Sequence, residues 1–191
     1  KATIRNLNVS GTVSCGTKNY VGGIVGKVQA GTIENCSFSG SVTGGYTGGI
    51  AGGPNSNNVT ISGCVNAADV TGTTAGGILG YGKKTVAIRD CYNTGSVTGS
   101  AKAGGIVGQL NKGTIENCYS IGDIGGKASQ KGGIFAFSNA TVENCYYTLP
   151  ETETFGGTAA AATQITSPEG LAGKLGNAFK EDTAGANNGY P

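Results

Sequence analysis

The amino-acid sequence predicts an all-β protein, a parallel β-helix of about five coils of 27–28 residues with a short C-terminal helix, and three observations carry that reading. The first is a phrase. Gly-Gly-Ile returns at Gly22-Gly23-Ile24, Gly48-Gly49-Ile50, Gly76-Gly77-Ile78, Gly104-Gly105-Ile106 and Gly132-Gly133-Ile134, at intervals of 26, 28, 28 and 28 residues. The second is another phrase that alternates with it: Thr32-Ile33-Glu34-Asn35-Cys36, again Thr114-Ile115-Glu116-Asn117-Cys118, and in shorter form at Ile61 to Cys64, Ile88 to Cys91 and Val142 to Cys145. A fixed period in the twenties marks units that bury their apolar faces only against their neighbours. The third is composition. Thirty-seven glycines occur without a Gly-X-Y period, and β-branched residues fill the space between them. That is strand and turn chemistry, with no i, i+3, i+4, i+7 stripe for a helical repeat.

Each part of the coil follows from its column. The residue before each stacked Cys is Asn6 (before Leu7), Asn35, Gly63, Asp90, Asn117 or Asn144, the types that best tolerate a left-handed backbone. A one-residue corner there turns Ile33 and Cys36 inward on successive strands, and stacked Asn amides such as Asn35, Asn117 and Asn144 can bond from rung to rung. Ile33, Ile61, Ile88, Ile115 and Val142 are expected in one inward column.

Cys36, Cys64, Cys91, Cys118 and Cys145 are 28, 27, 27 and 27 residues apart, and the chain has no His. A zinc site wants closely spaced ligand pairs, so these residues read as structural, with no metal and no cofactor. Adjacent rungs, ~4.8 Å apart, lie within disulfide range of Cα atoms, but stacked side chains would have to turn along the axis. Buried reduced thiols are the expectation. Cys15 lies off the column and is the accessible thiol.

The two phrases together resemble the GLUG-motif repeat proteins, whose repeats carry a Gly-Gly-[Leu/Ile]-[Val/Ala]-Gly core followed by Gly-x-Ile-x-Asn-Cys-Tyr. The resemblance covers about residues 3–148, departing at Ala136 in the fifth copy and Gly63 in the third. The ending Asn187 to Pro191 looks like the segment that often closes such arrays. The resemblance implies part of a large bacterial cell-surface or secreted protein, such as an adhesin or the non-catalytic region of an IgA-cleaving metallopeptidase, hence an extracellular or cell-surface location. It supplies no catalytic motif.

The period stops at 148, dividing the chain into a solenoid (1–148) and a non-repeat extension (149–191). Within the extension Ser167 reads as an N-cap and Pro168 as the first helical residue. Leu171, Leu175 and Phe179 then form a stripe on a helix from about Pro168 to Lys180. That helix is expected to cap the final coil or to lie over an outer apolar column including Leu79, Val107 and Phe135. Lys1 in place of Met suggests a fragment of something larger. Leu149 to Glu153 resembles a sortase signal only by chance, since its last position is Glu.

A net charge of +2 with scattered Lys gives no phosphate-binding footprint, so nucleic acid is not expected, and no stretch is long and apolar enough to span a membrane. Catalysis by a β-helix needs paired carboxylates or a clustered metal site. The column Arg5, Glu34, Ser62, Arg89, Glu116, Glu143 instead reads as a solvated ladder, and Asp69 and Asp123 fall two rungs apart. An enzyme is not expected.

Two outward surfaces remain. Tyr92, Tyr119 and Tyr146 follow the stacked Cys, so alternation turns them outward in a row, either as a platform for sugars or as rings covering their neighbours. Thr12, Ser14, Ser41, Thr43, Thr71, Ser96 and Thr98 form two outward hydroxyl-rich columns flanking inward Val13, Val42, Val70 and Val97, broken by Asp69 and Asp123 in one and Gly125 in the other, and strand propensity explains them. The leading expectation is a structural or adhesive module whose partners are host or cell-surface glycans or proteins and neighbouring domains. The alternative is a carbohydrate-binding module using the tyrosine row.

Overall fold

The computed structural model describes residues 2–17, 19–148, 156–157, 162–165, 169–175 and 179. Its repeats wind into coils whose strands pair in parallel with their counterparts one coil on. Two sheets make the walls. In one coil the chain crosses the first sheet as Gly31–Glu34, turns at Asn35, and crosses the second as Ser37–Gly48. It bends at Gly48-Gly49 and re-enters the first sheet as Ala51–Pro54 and Val59–Ser62. The ladder runs through the bends as well, since Ile50 N–H donates to the Ile78 carbonyl at 3.2 Å and Ile78 N–H to that of Ile106 at 2.9 Å.

The core lies between the sheets. Ile4, Ile33, Ile61, Ile88, Ile115 and Val142 stack in register, as expected, and the four middle isoleucines are buried. Each such side chain contributes about 1.5–3 kcal/mol through burial. Leu79, Val107 and Phe135 also stack, but inside the core rather than on an outer face. The reason is at the bend. Ile78 and Leu79 N–H both donate to the Ile106 carbonyl, so strict alternation is interrupted there and two consecutive residues face inward.

The Gly-Gly pairs are required by space rather than by backbone angle, because none of them has a positive φ. A Cβ on Gly48, Gly76 or Gly104 would strike a carbonyl of the strand leaving the bend, so the two strands meet backbone to backbone. A Cβ on the second glycine would strike an inward column two residues beyond each Cys: Phe38 at Gly23, Asn66 at Gly49, Asn93 at Gly77, Ser120 at Gly105 and Tyr147 at Gly133. Asn66 Nδ2 donates to the Ala68 carbonyl and to Asn93 Oδ1 (2.8 and 2.7 Å), and Asn93 Nδ2 to the Gly95 carbonyl and Ser120 Oγ (2.8 and 3.2 Å). A buried polar ladder is tolerable only when paired in this way. Phe38 and Tyr147 close its two ends.

The stack outlasts the sequence period. Gly156–Gly157 pairs with Phe135–Ser138, and Thr163–Gln164 pairs with Tyr146–Tyr147, making a shortened further coil beyond 148. Ala162, next to Thr163, takes the place of the stacked Cys and packs on the core. The helix described is Leu171–Leu175, five residues long. Ser167, Pro168, Lys180, Leu149 to Glu153 and Asn187 to Pro191 lie outside the described residues.

Candidate functional site

The recurring Asn-Cys corner has the predicted geometry. Asn6, Asn35, Gly63, Asp90, Asn117 and Asn144 have φ of 55°, 51°, 60°, 55°, 50° and 49°. Asn35 Nδ2 donates to Asn6 Oδ1 at 3.5 Å, Asn117 Nδ2 to Asp90 Oδ1 at 3.1 Å, and Asn144 Nδ2 to Asn117 Oδ1 at 3.3 Å, with Gly63 leaving a gap.

All six thiols are free, five buried and Cys15 exposed. In the column, each Sγ sits against the carbonyl two residues back, at 3.2, 3.3, 3.1, 3.1 and 3.2 Å for Cys36, Cys64, Cys91, Cys118 and Cys145. The thiol is therefore more than a small apolar filler, because it reaches back across the corner it follows. Hydrogen bonding to Cys91 and burial push the Cys64 thiol well up, and burial does the same to Cys118. A thiol held neutral in this way is inert. Between these two, and against the effect of its burial, hydrogen bonds with Cys118 and Cys64 draw the Cys91 thiol down. Leu7, at the open end of this column, is 41% exposed.

Tyr92, Tyr119 and Tyr146 do form an in-register outward row, and the Tyr92 and Tyr119 rings stack 4.9 Å apart at 2°. The row is not an open platform, however. Leu171 and Leu175 lie over it, Phe179 meets the Tyr119 ring edge-on at 5.5 Å, and Tyr119 is fully buried. The stripe of the helix thus packs on the side of the stack, not on the end of the final coil or over Leu79. A five-residue helix is too short to stand alone, and the tyrosines supply its seat. Burial raises the Tyr92 hydroxyl above its ordinary value.

A second tyrosine group escaped the sequence reading. Tyr20, Tyr46 and Tyr81 meet where the bend joins the sheets, with Tyr46 and Tyr81 stacked 4.5 Å apart and Tyr20 at 5.4 Å from Tyr46. All three are half-buried, and the Lys27 ammonium sits 5.0 Å from the centre of the Tyr20 ring. The Tyr20 ring covers Gly53, where a side chain would collide with it. Its backbone is at φ 59°, whereas every other described non-glycine residue with positive φ is Asn or Asp. A bulky residue there costs on the order of 1–3 kcal/mol. A signal was available, since Tyr20 and Tyr46 both stand two residues before a Gly-Gly pair.

The remaining candidates stay where the columns put them. Arg5, Glu34, Ser62, Arg89, Glu116 and Glu143 are in register on the first sheet. Asp69 is exposed between inward Ala68 and Val70, and the Val70 N–H donates to the Ser96 carbonyl while Val97 N–H donates to that of Asp123, which fixes the two-rung separation. Among the described residues no helix is long and apolar enough to cross a membrane.

The family model of the GLUG motif matches residues 18–43 and 99–125. Neither the curated proteins nor the solved structures give a match to the chain. Each matched segment spans one Gly-Gly bend and the Asn-Cys corner after it, and a Gly-Gly bend and a left-handed corner before Cys recur in the coils between and beyond them, so the chain carries GLUG-motif repeats.

Proposed function

We propose that this chain is a non-catalytic structural or adhesive module of a larger bacterial surface or secreted protein. The observation that carries the reading is that every recurring residue has a packing task. The glycines make room, the asparagines turn the corner, the isoleucines fill the core, and the thiols bond to their own backbone. Periodic sequence of this kind specifies a rigid rod that spaces or presents other elements, advancing ~4.8 Å per coil. Use of Tyr92, Tyr119 and Tyr146 as a sugar platform would require lifting the Leu171–Leu175 helix, so ligand contact is better sought elsewhere on the stack.

Reporter domains fused to both ends are expected to stay at one fixed separation that shortens by a coil when one repeat is deleted. A broad distribution of separations would overturn the spacer role. Antibodies against the coils are expected to stain intact producing cells, and staining only after permeabilisation would overturn the surface placement.

A further inference from the structure

We propose that the outer face of the first sheet just beyond the Gly-Gly bends, with Tyr81 on it and the rings of Tyr20 and Tyr46 meeting it from before the bends, binds an anionic polysaccharide. The inference rests on the reading above of the coils as a module that contacts ligands without transforming them, and names the ligand class. Its first support is charge. The five segments that build this face, residues 25–31, 51–59, 79–86, 107–113 and 135–140, contain Lys27, Lys83, Lys84 and Lys112 and none of the chain's 11 Asp and Glu residues. Acids are present on the neighbouring half of the same sheet, at Glu34, Glu116 and Glu143, so the exclusion is local.

The second support is the chemistry between the lysines. One outward column, in register, reads Lys27, Gly53 under the Tyr20 ring, Tyr81, Gln109 and Phe137. Gln29 and Asn55 follow just past the ends of their strands, two residues after Lys27 and Gly53, and Asn111 stands two residues after Gln109 in its strand. Asn55 bonds to Gln29 and Gln109 to Asn111, which preorganises the amides. Aromatic faces suit the apolar faces of sugar rings, amides suit their hydroxyls, and ammonium groups suit carboxylates or sulfates. Five rungs give a strip about 19 Å long, which favours a chain over a single sugar.

The third support is the left-handed backbone of Tyr20. Asn or Gly would serve that turn without strain, yet a tyrosine is held there with its ring over Gly53 and beside Tyr46. The helix that covers the other tyrosine group is packed on Tyr92, Tyr119 and Tyr146 and leaves this one half-exposed.

The test is calorimetric titration of the purified chain with polygalacturonate, heparin, neutral dextran and polyglutamate. Saturable binding of polygalacturonate, heparin or both, with dextran and polyglutamate much weaker, is expected; the first two arms distinguish carboxylate from sulfate. Tyr20→Asn, which suits the left-handed turn, is expected to keep or raise the melting temperature while weakening binding about tenfold or more, as are Tyr46→Ala and Lys27→Ala without that thermal gain. Lys127→Ala, outside the face, is expected to change nothing. Absence of binding, equal binding of polyglutamate, or full binding by Tyr20→Asn and Tyr46→Ala would overturn the proposal. The recovered polysaccharide is also sized: shortened chains refute the non-catalytic reading, whereas intact but unbound chains refute only this inference.

Discussion

The two tyrosine groups differ in a way that runs against their appearance in the sequence. Tyr92, Tyr119 and Tyr146 are periodic and in register, and they seat Leu171, Leu175 and Phe179, with Tyr119 fully buried between half-buried Tyr92 and Tyr146. Tyr20, Tyr46 and Tyr81 come from two sheets and only partly share a repeat position, yet they keep half-exposed rings beside a lysine. Regularity here reports what the stack needs for packing. Departure from regularity, especially with backbone strain, marks residues held for another purpose.

The widest separation between the groups is expected from a buried charge. Tyr119→Asp should lose at least several kcal/mol of unfolding free energy in urea, because a carboxylate would be enclosed without a partner. Tyr46→Asp should lose less than about 1 kcal/mol, since its position reaches water. Equal losses would erase the distinction. Cys91→Asp belongs with Tyr119→Asp, while Cys91→Ala is expected to be much milder, removing a small group and the weak sulfur hydrogen bonds to the Arg89 and Ile61 carbonyls and from the Cys64 N–H.

Next in size is the cover itself. Leu171→Glu with Leu175→Glu should lift the helix and cost about 2–4 kcal/mol. Nitration followed by mass spectrometry reads it out: in the parent chain Tyr20 and Tyr46 react early and Tyr119 last, and in the double variant Tyr119 joins them. An unchanged order would mean that the coils alone protect Tyr119.

Alkaline pH acts on the covered parts most. Cys64 and Cys118 have raised folded pKa values, so the folded chain holds protons that the unfolded chain releases above about pH 9, and the raised Tyr92 hydroxyl adds to this from about pH 10. The thiol contribution is complete below about pH 9 and declines as pH rises, by up to about 1.4 kcal/mol per pH unit for each retained thiol proton, while half-exposed Tyr92 contributes less because solvent screens it. Urea midpoints measured from pH 7 to 11 should fall accordingly, and a flat profile would contradict the buried neutral thiols. The smallest effect is a gain, since Tyr20→Asn should stabilise by about 1 kcal/mol through relief of its left-handed backbone.

The bend, the corner and the inward Ile column were legible because each is set by residues close in sequence. Asn or Gly before Cys calls for a left-handed turn, and the 27-residue spacing of Ile61, Ile88, Ile115 and Val142 places them in register. What was not legible depended on closure of the coil. Gly49 needs its space because Asn66 lies opposite, a relation between distant segments with no local sign. Leu79 faces inward because two N–H groups share one carbonyl at the bend. The shortened coil after 148 carries neither phrase, since backbone pairing asks for no particular side chains there. The exposure of Tyr119 depended on a helix outside the repeats.

The column of five enclosed thiols places a condition on the order of events in the life of the chain. While it is extended, six sulfhydryls are open to any oxidant it meets, and neighbouring corners pass within bridging distance as coils form. Once the corners have closed, the sulfurs are out of reach and oxidation is confined to Cys15. Assembly must therefore outrun oxidation wherever an oxidant is present, and the finished stack is its own shield against the wrong covalent connections.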